Sequence, residues 1–180
     1  MKHLKLLSGL LFVVLLCSFA PADWVWMENK QSGFKVLFPR QAKAVGDSIA
    51  TPAGLMPRNG LVYEVGKFKD DNEVYSLLYI DYPDTFIHSD YKDALIDEFL
   101  KTEVKNSLAA QKATRLSDIK INYKTYAGRR VKMSTNGDKY IQYMQLYLVN
   151  SRLYIQEVTC PAANDNNASI DKFLKSFTLL

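Results

Sequence analysis

The sequence predicts an α+β domain built on a mostly antiparallel β-sheet, and three observations carry that expectation. Apolar residues recur at every second position through most of the chain, change to helical spacing from Ser89 to Ala110, and revert near Ile119. The dipeptides Asn136-Gly137 and Asn150-Ser151 divide runs rich in Tyr, Ile, Leu and Val, as tight hairpin turns do. From Tyr140 to Leu180 the chain reads as a hairpin, a polar loop, one short amphipathic helix and a closing apolar run.

The first residues form a leader. Lys2 and Lys5 precede an apolar run from Leu6 to Ala20, and Ala20-Pro21-Ala22 has the small-residue pattern of a secretory cleavage site. The apolar run is short for a bilayer span and no basic stop-transfer segment follows, so cleavage after Ala22 is expected rather than an uncleaved anchor. Cys17 lies inside the leader, but Leu16 precedes it where lipoprotein leaders need a small side chain, which argues against a lipid anchor. Residues 1–22 are thus read as a signal peptide and residues 23–180 as a single exported domain, periplasmic or extracellular. Cleavage would leave Cys160 as the one cysteine, with no intramolecular disulfide, and the fold must stand on its core. Loss of Lys2 and Lys5 lowers the formal net charge from +4 to +2, too little to argue for nucleic acid or an anionic membrane surface.

In the domain itself, Trp24-Val25-Trp26 and the alternating run Gly33 to Pro39 suggest an antiparallel pair about a turn near Gln31-Ser32-Gly33. Ala42 to Ala50 and Leu55 to Phe68 read as weaker strands about Thr51-Pro52-Ala53-Gly54. Asn72 to Tyr82 is apolar on both faces and is expected to be a central strand covered above and below. Ser89 is the expected cap of the long helix, with Asp90 and Asp93 in its first turn. Leu95, Ile96, Phe99, Leu100, Val104 and Leu108 form its apolar stripe, and Lys92, Asp97, Lys101, Glu103 and Lys105 its outer face. A second helix is expected from Asn166 to Leu174, followed by a closing strand from Ser176 to Leu179 that pairs with the sheet and buries Phe177 and Leu179.

Ile119 to Ile121 and Ala127 to Thr135 return to strand. Two-residue turns at Asn136-Gly137 and Asn150-Ser151 would pair Val131 with Gln142, Arg129 with Met144, Leu148 with Leu153 and Leu146 with Ile155. One face of the resulting meander carries Val131, Met133, Met144, Leu146, Leu148, Leu153 and Ile155; the other carries Arg130, Lys132, Tyr143, Gln145, Tyr147, Tyr154 and Gln156.

Three stretches then resemble the PsbP-like superfamily: G-F-K-V-L-F-P from Gly33, the run ending Y-I-D-Y-P at Pro83, and Y-L-V-N-S-R-L-Y-I-Q-E-V followed by D-K-F-L-K-S-F-T-L. The family takes its name from an extrinsic subunit of photosystem II and shares its fold with a Ran-binding nuclear import factor. With its leader, the chain resembles the exported bacterial branch. The resemblance implies an antiparallel sheet sandwiched between helices, an α/β/α sandwich, and a non-catalytic assembly, binding or accessory role. The metal-linked role of the photosynthetic subunit does not carry over, because no ligand motif matches.

The search for chemistry is sparse. No G-x-S-x-G, Walker loop or H-E-x-x-H motif occurs. His88, flanked by Asp84 and Asp90, is the one histidine beyond the leader and the weak candidate for a metal site or metal-dependent hydrolase. A solvated histidine in a polar loop is the plainer reading. Cys160 reads as an inert thiol at a strand end, and Asn167-Ala168-Ser169 is a formal glycosylation sequon at a helix start. The polar meander face, rich in Tyr, Gln and Arg, is the candidate recognition surface; the competing reading, favoured by the family's layering, covers it with a helix or terminal segment. The expected function is therefore an exported, non-enzymatic binding or accessory module of the cell envelope, without cofactor, whose partner is an envelope protein or small ligand. A lipid or small-ligand carrier with a pocket between sheet and helix is a third possibility.

Overall fold

A strand apolar on both faces, such as the run from Asn72 to Tyr82, needs a cover on each side of its sheet, and the chain supplies both. A computed structural model of the protein describes residues 24–66 and 70–180; the expected leader, its cleavage site, Cys17 and Phe68 lie outside the described residues. The strands are β1 (Val25–Asn29), β2 (Phe34–Phe38), β3 (Lys43–Thr51), β4 (Gly54–Glu64), β5 (Val74–Asp81), β6 (Thr114–Tyr123), β7 (Tyr126–Thr135), β8 (Tyr140–Val149), β9 (Arg152–Pro161) and β10 (Thr178–Leu179). The helices are α1 (Asp93–Gln111) and α2 (Ala168–Ser176). Strands β3-β4-β5-β9-β8-β7-β6 form one antiparallel seven-stranded sheet; β1-β2-β10 form a second, three-stranded one. Among the described residues no helix is long and apolar enough to cross a membrane.

Helix α1 leaves the centre of the large sheet after β5 and crosses its face above β7 and β8 to reach edge strand β6. Ile96, Phe99, Leu100 and Val104 pack there on Val131, Met133, Met144, Leu146 and Leu148. On the opposite face, the small sheet and α2 bury Phe34, Val36, Phe38, Phe173, Leu174 and Phe177 against Tyr75, Leu77, Tyr147, Tyr154 and Val158. Strand β5 serves both cores, which is why it is apolar on both sides: Ile80 belongs to the first and Tyr75 and Leu77 to the second. The α/β/α layering expected from the sequence is therefore present.

Several local expectations are corrected. Helix α1 begins at Asp93, not Ser89, and its N-cap Lys92 makes no side-chain cap bond. Ser89 is engaged elsewhere: its N–H donates to Asn150 O at 2.8 Å and its Oγ accepts from Asn150 N at 3.1 Å, pinning the pre-helix loop to the β8–β9 turn. Leu95 is 50% exposed rather than part of the buried stripe, and Glu103, expected on the outer face, turns toward the sheet. The Asn136-Gly137 turn is a four-residue loop, residues 136–139. Asn136, Gly137 and Asp138 all have positive φ, and Ser134 Oγ donates to Asp138 Oδ1 at 2.6 Å. Val131 consequently faces Met144 and Arg129 faces Leu146, two residues from the expected register, which preserves both faces. The Asn150-Ser151 turn pairs Leu148 with Leu153 and Leu146 with Ile155, as expected.

At the C-terminus, Asn167 caps α2, its Oδ1 accepting from Ser169 N and Ile170 N at 3.1 and 3.2 Å, so this helix starts two residues later than expected. The closing strand shortens to Thr178–Leu179 and joins β2 of the small sheet. Phe177 is buried, whereas Leu179 is only half-buried.

Candidate functional site

The polar meander face turns toward α2 and the small sheet, and its side chains hold that layer in place. Gln145, Tyr147, Tyr154 and Gln156 are buried; Arg130, Lys132 and Tyr143 are half-buried. Gln145 Nε2 and Gln156 Nε2 donate to the carbonyls of Leu174 and Phe173 at 3.2 and 3.1 Å, so two strand amides satisfy acceptors near the end of α2. Arg130 donates twice to Gln145 Oε1, at 2.8 and 2.6 Å. Lys132 and Tyr143 both reach Asp165, each at 2.6 Å, fastening the loop that precedes α2. Tyr154 Oη donates to Ser32 O at 2.6 Å, and Tyr147 stacks on Phe177 at 5.9 Å between ring centroids. Four of these seven residues are thus enclosed beneath α2 and the small sheet, and the three half-buried ones bind to that layer or to its enclosed residues.

Of the other sequence candidates, His88 and Asp90 meet, with Nδ1 lying 3.4 Å from Asp90 Oδ2, while Asp84 is held elsewhere. His88 Nδ1 accepts from Asp90 N at 3.2 Å, while Asp84 accepts from the Ser151 hydroxyl at the β8–β9 turn. Among the described residues no group of three or more His, Cys, Asp or Glu is placed to hold a metal ion, so the His88, Asp84 and Asp90 grouping does not form one. Cys160 is fully buried and its thiol is pushed up to about 11, chiefly by burial. In the sequon, Asn167 uses its Nδ2 to donate to Asn72 Oδ1 and Asn164 O, both at 2.9 Å.

The open feature lies on the opposite side. Because α1 leans over β7 and β8, its C-terminal half stands away from β3, β4 and β5, and a cavity of about 410 Å³ remains beneath it. Leu78, Ile80, Met144, Leu146 and Ile155 form its apolar floor. Polar groups converge from three elements: Arg58 from β4, Glu157 from β9, and Glu103, Asn106, Ser107 and Gln111 from α1. An apolar chamber with a few convergent polar groups is the usual form of a small-molecule site.

Its electrostatics are uneven. Arg58 is already paired: Nε and Nη2 donate to Asp47 at 3.0 and 2.6 Å, which lowers the Asp47 pKa and raises that of Arg58. Burial raises the Glu157 carboxyl above its ordinary value, with Arg58 and the Ser76 hydroxyl easing the shift. Burial likewise raises Glu103, and the nearby Tyr82 hydroxyl moderates it. Even so, Glu103 Oε1 and Tyr82 Oη are both buried without a hydrogen bond of proper geometry.

Neither Arg58, Glu103 nor Glu157 stood out from the sequence as a site residue. Glu157 alone carried a signal: it shares a strand face with Leu153 and Ile155, where a carboxylate interrupts an apolar alternation. Glu103 and Arg58 become neighbours of the cavity only through the lean of the helix.

The sequence matches no family model and no curated protein. The fold does have counterparts among solved structures. It is similar to the solution structure of cyanobacterial PsbP, CyanoP, from Synechocystis sp. PCC 6803, with TM-score 0.60 and 14% identity over 91% of this chain and 96% of that one. A second, looser likeness is to a Pseudomonas aeruginosa protein of unknown function, with TM-score 0.41 and 9% identity over 78% of this chain and 85% of that one. The first likeness supports a PsbP-like fold, in agreement with the resemblance seen in the sequence.

Proposed function

We propose that the protein is an exported, non-catalytic binding module of the cell envelope whose ligand site is the cavity beneath α1. The cavity carries this reading. One face of the large sheet is closed by side chains that bind α2 and the small sheet, whereas the other keeps a chamber of about 410 Å³ with polar groups from several elements. The PsbP-like fold supports the accessory reading by analogy of architecture, and the cavity carries the argument because a fold hosts many functions. The leader at residues 1–22 supports export, with cleavage after Ala22.

The test is purification of the tagged protein from its own envelope, followed by native mass spectrometry and N-terminal sequencing. The expected result is a chain starting at Asp23 that retains a small molecule, and a variant with Ala110→Trp at the cavity wall that loses it. Ligand-free protein together with a measured turnover on any substrate would overturn the binding reading. A chain retained in the cytoplasm with its leader intact would overturn export.

A further inference from the structure

Resting on the cavity as a ligand site, we infer that its ligand is an amphipathic cation, an alkyl or aryl body carrying a protonated amine. The floor formed by Leu78, Ile80, Met144, Leu146 and Ile155 fits an apolar body and offers it no hydrogen bond. The head is chosen by charge. Among the described residues lining the chamber, Arg58 is the only cation, and Asp47 neutralises it through two hydrogen bonds. Glu103 and Glu157 remain as acidic groups without a second lining cation.

Glu103 also has an unmet need. Its Oε1 is shielded from water, and the neighbouring Tyr82 hydroxyl does not meet it with proper hydrogen-bond geometry, a condition that ordinarily costs stability. An ammonium head placed at that oxygen supplies a donor and a charge together, and charge-assisted hydrogen bonds are the stronger kind. A neutral alcohol would supply only the donor. A carboxylate would meet two acidic side chains and a pre-engaged arginine, and so be repelled. Asn106, Ser107 and Gln111 at the α1 wall add hydrogen-bonding partners for the remaining ammonium protons.

Isothermal titration of the full exported chain with n-octylammonium, n-octanol and octanoate at one neutral pH tests this. Octylammonium is expected to bind at least about tenfold more tightly than octanoate, with octanol between them. Glu103→Gln and Glu157→Gln should each weaken octylammonium about tenfold while leaving octanol nearly unchanged. Folding is read separately from the circular dichroism melting curve, which in Glu103→Gln should stay cooperative with a midpoint no lower than the parent's, because the amide removes a desolvated charge. Octanoate or octanol binding as tightly as octylammonium, or unchanged octylammonium affinity in Glu103→Gln, would overturn the cationic head while leaving the cavity as a site. If none of the three probes binds, or if Ala110→Trp leaves their binding unaltered, the cavity reading itself falls with it.

Discussion

Tyr147 shows how polar side chains are used in this molecule. Its ring lies against Phe177 and across Gly128, where an added Cβ would come within 2.4 Å of both the ring and Leu146 O. The hydroxyl-bearing face of the meander is thus packed as tightly as the apolar one: Tyr147 is 6% exposed and Leu146 is 1% exposed. Tyr147→Ala and Leu146→Ala should therefore cost comparable stability, each roughly 2–5 kcal/mol by urea denaturation. A loss at Tyr147 of under about 1 kcal/mol, in the range of ordinary surface changes, would show that its face is open after all. Gly128→Ala should also destabilise, because the new methyl must push aside a backbone carbonyl as well as a flexible ring. A melting temperature equal to that of the parent would refute the close approach.

Among the elements, the C-terminal unit of α2 and β10 is the one whose removal is most informative. Phe177 packs with Tyr123, Tyr147 and Tyr154, Leu179 N donates to the Tyr123 hydroxyl at 3.2 Å, and Leu180 N donates to Gly33 O at 3.0 Å. Deleting residues 176–180 removes that ring, the β2–β10 ladder and the Ser176 hydroxyl that accepts from Leu37 N. The expected loss is several kcal/mol, on the order of one buried aromatic side chain plus a few backbone bonds. An unchanged thermal midpoint in the truncated chain would make the terminus dispensable. The alternation and helical spacing made this unit, the meander and α1 legible in the sequence, because each depends on residues close along the chain. Its partner was less legible: that Thr178 and Leu179 join β2 rather than the large sheet depends on contacts 139 or more residues distant, such as Leu37 with Ser176. The start of α1 was missed for the same reason, since Ser89 bonds to Asn150 across the fold instead of capping the helix. The four-residue loop after β7 was missed because Asn136-Gly137 also suits a two-residue turn, and a third positive-φ residue, Asp138, follows it. The cavity had no local signal at all, being the gap left by the angle at which α1 crosses its sheet.

At the scale of the whole molecule, acidic groups divide into two populations that pull stability in opposite directions as pH falls. Asp47 and Asp97 are lowered chiefly by hydrogen bonds from Arg58 and Lys101. At Asp165, burial opposes ionisation, but Lys132 and Tyr143 outweigh it and the net shift is downward. A carboxyl lowered on folding contributes stability above its unfolded value, about 3.9 for aspartate, and loses it as pH falls through the folded value. Glu103 and Glu157 are raised by burial, so their contribution is fully present below the unfolded glutamate value of about 4.3 and is lost as pH rises through their folded values. Acidifying from neutral pH should therefore first stabilise the fold, as the two glutamates take up protons, and destabilise it once the aspartates are protonated. The melting temperature is expected to peak in the mildly acid range, at about pH 4–5, rather than at neutrality. In a Glu103→Gln, Glu157→Gln double variant the neutral-pH melting temperature should be raised and the increase on acidification should disappear, while the fall at lower pH remains. Superimposable profiles for parent and double variant between neutrality and that peak would mean that the two carboxyls carry no penalty in the folded protein, and that the chamber beneath α1 is already well solvated.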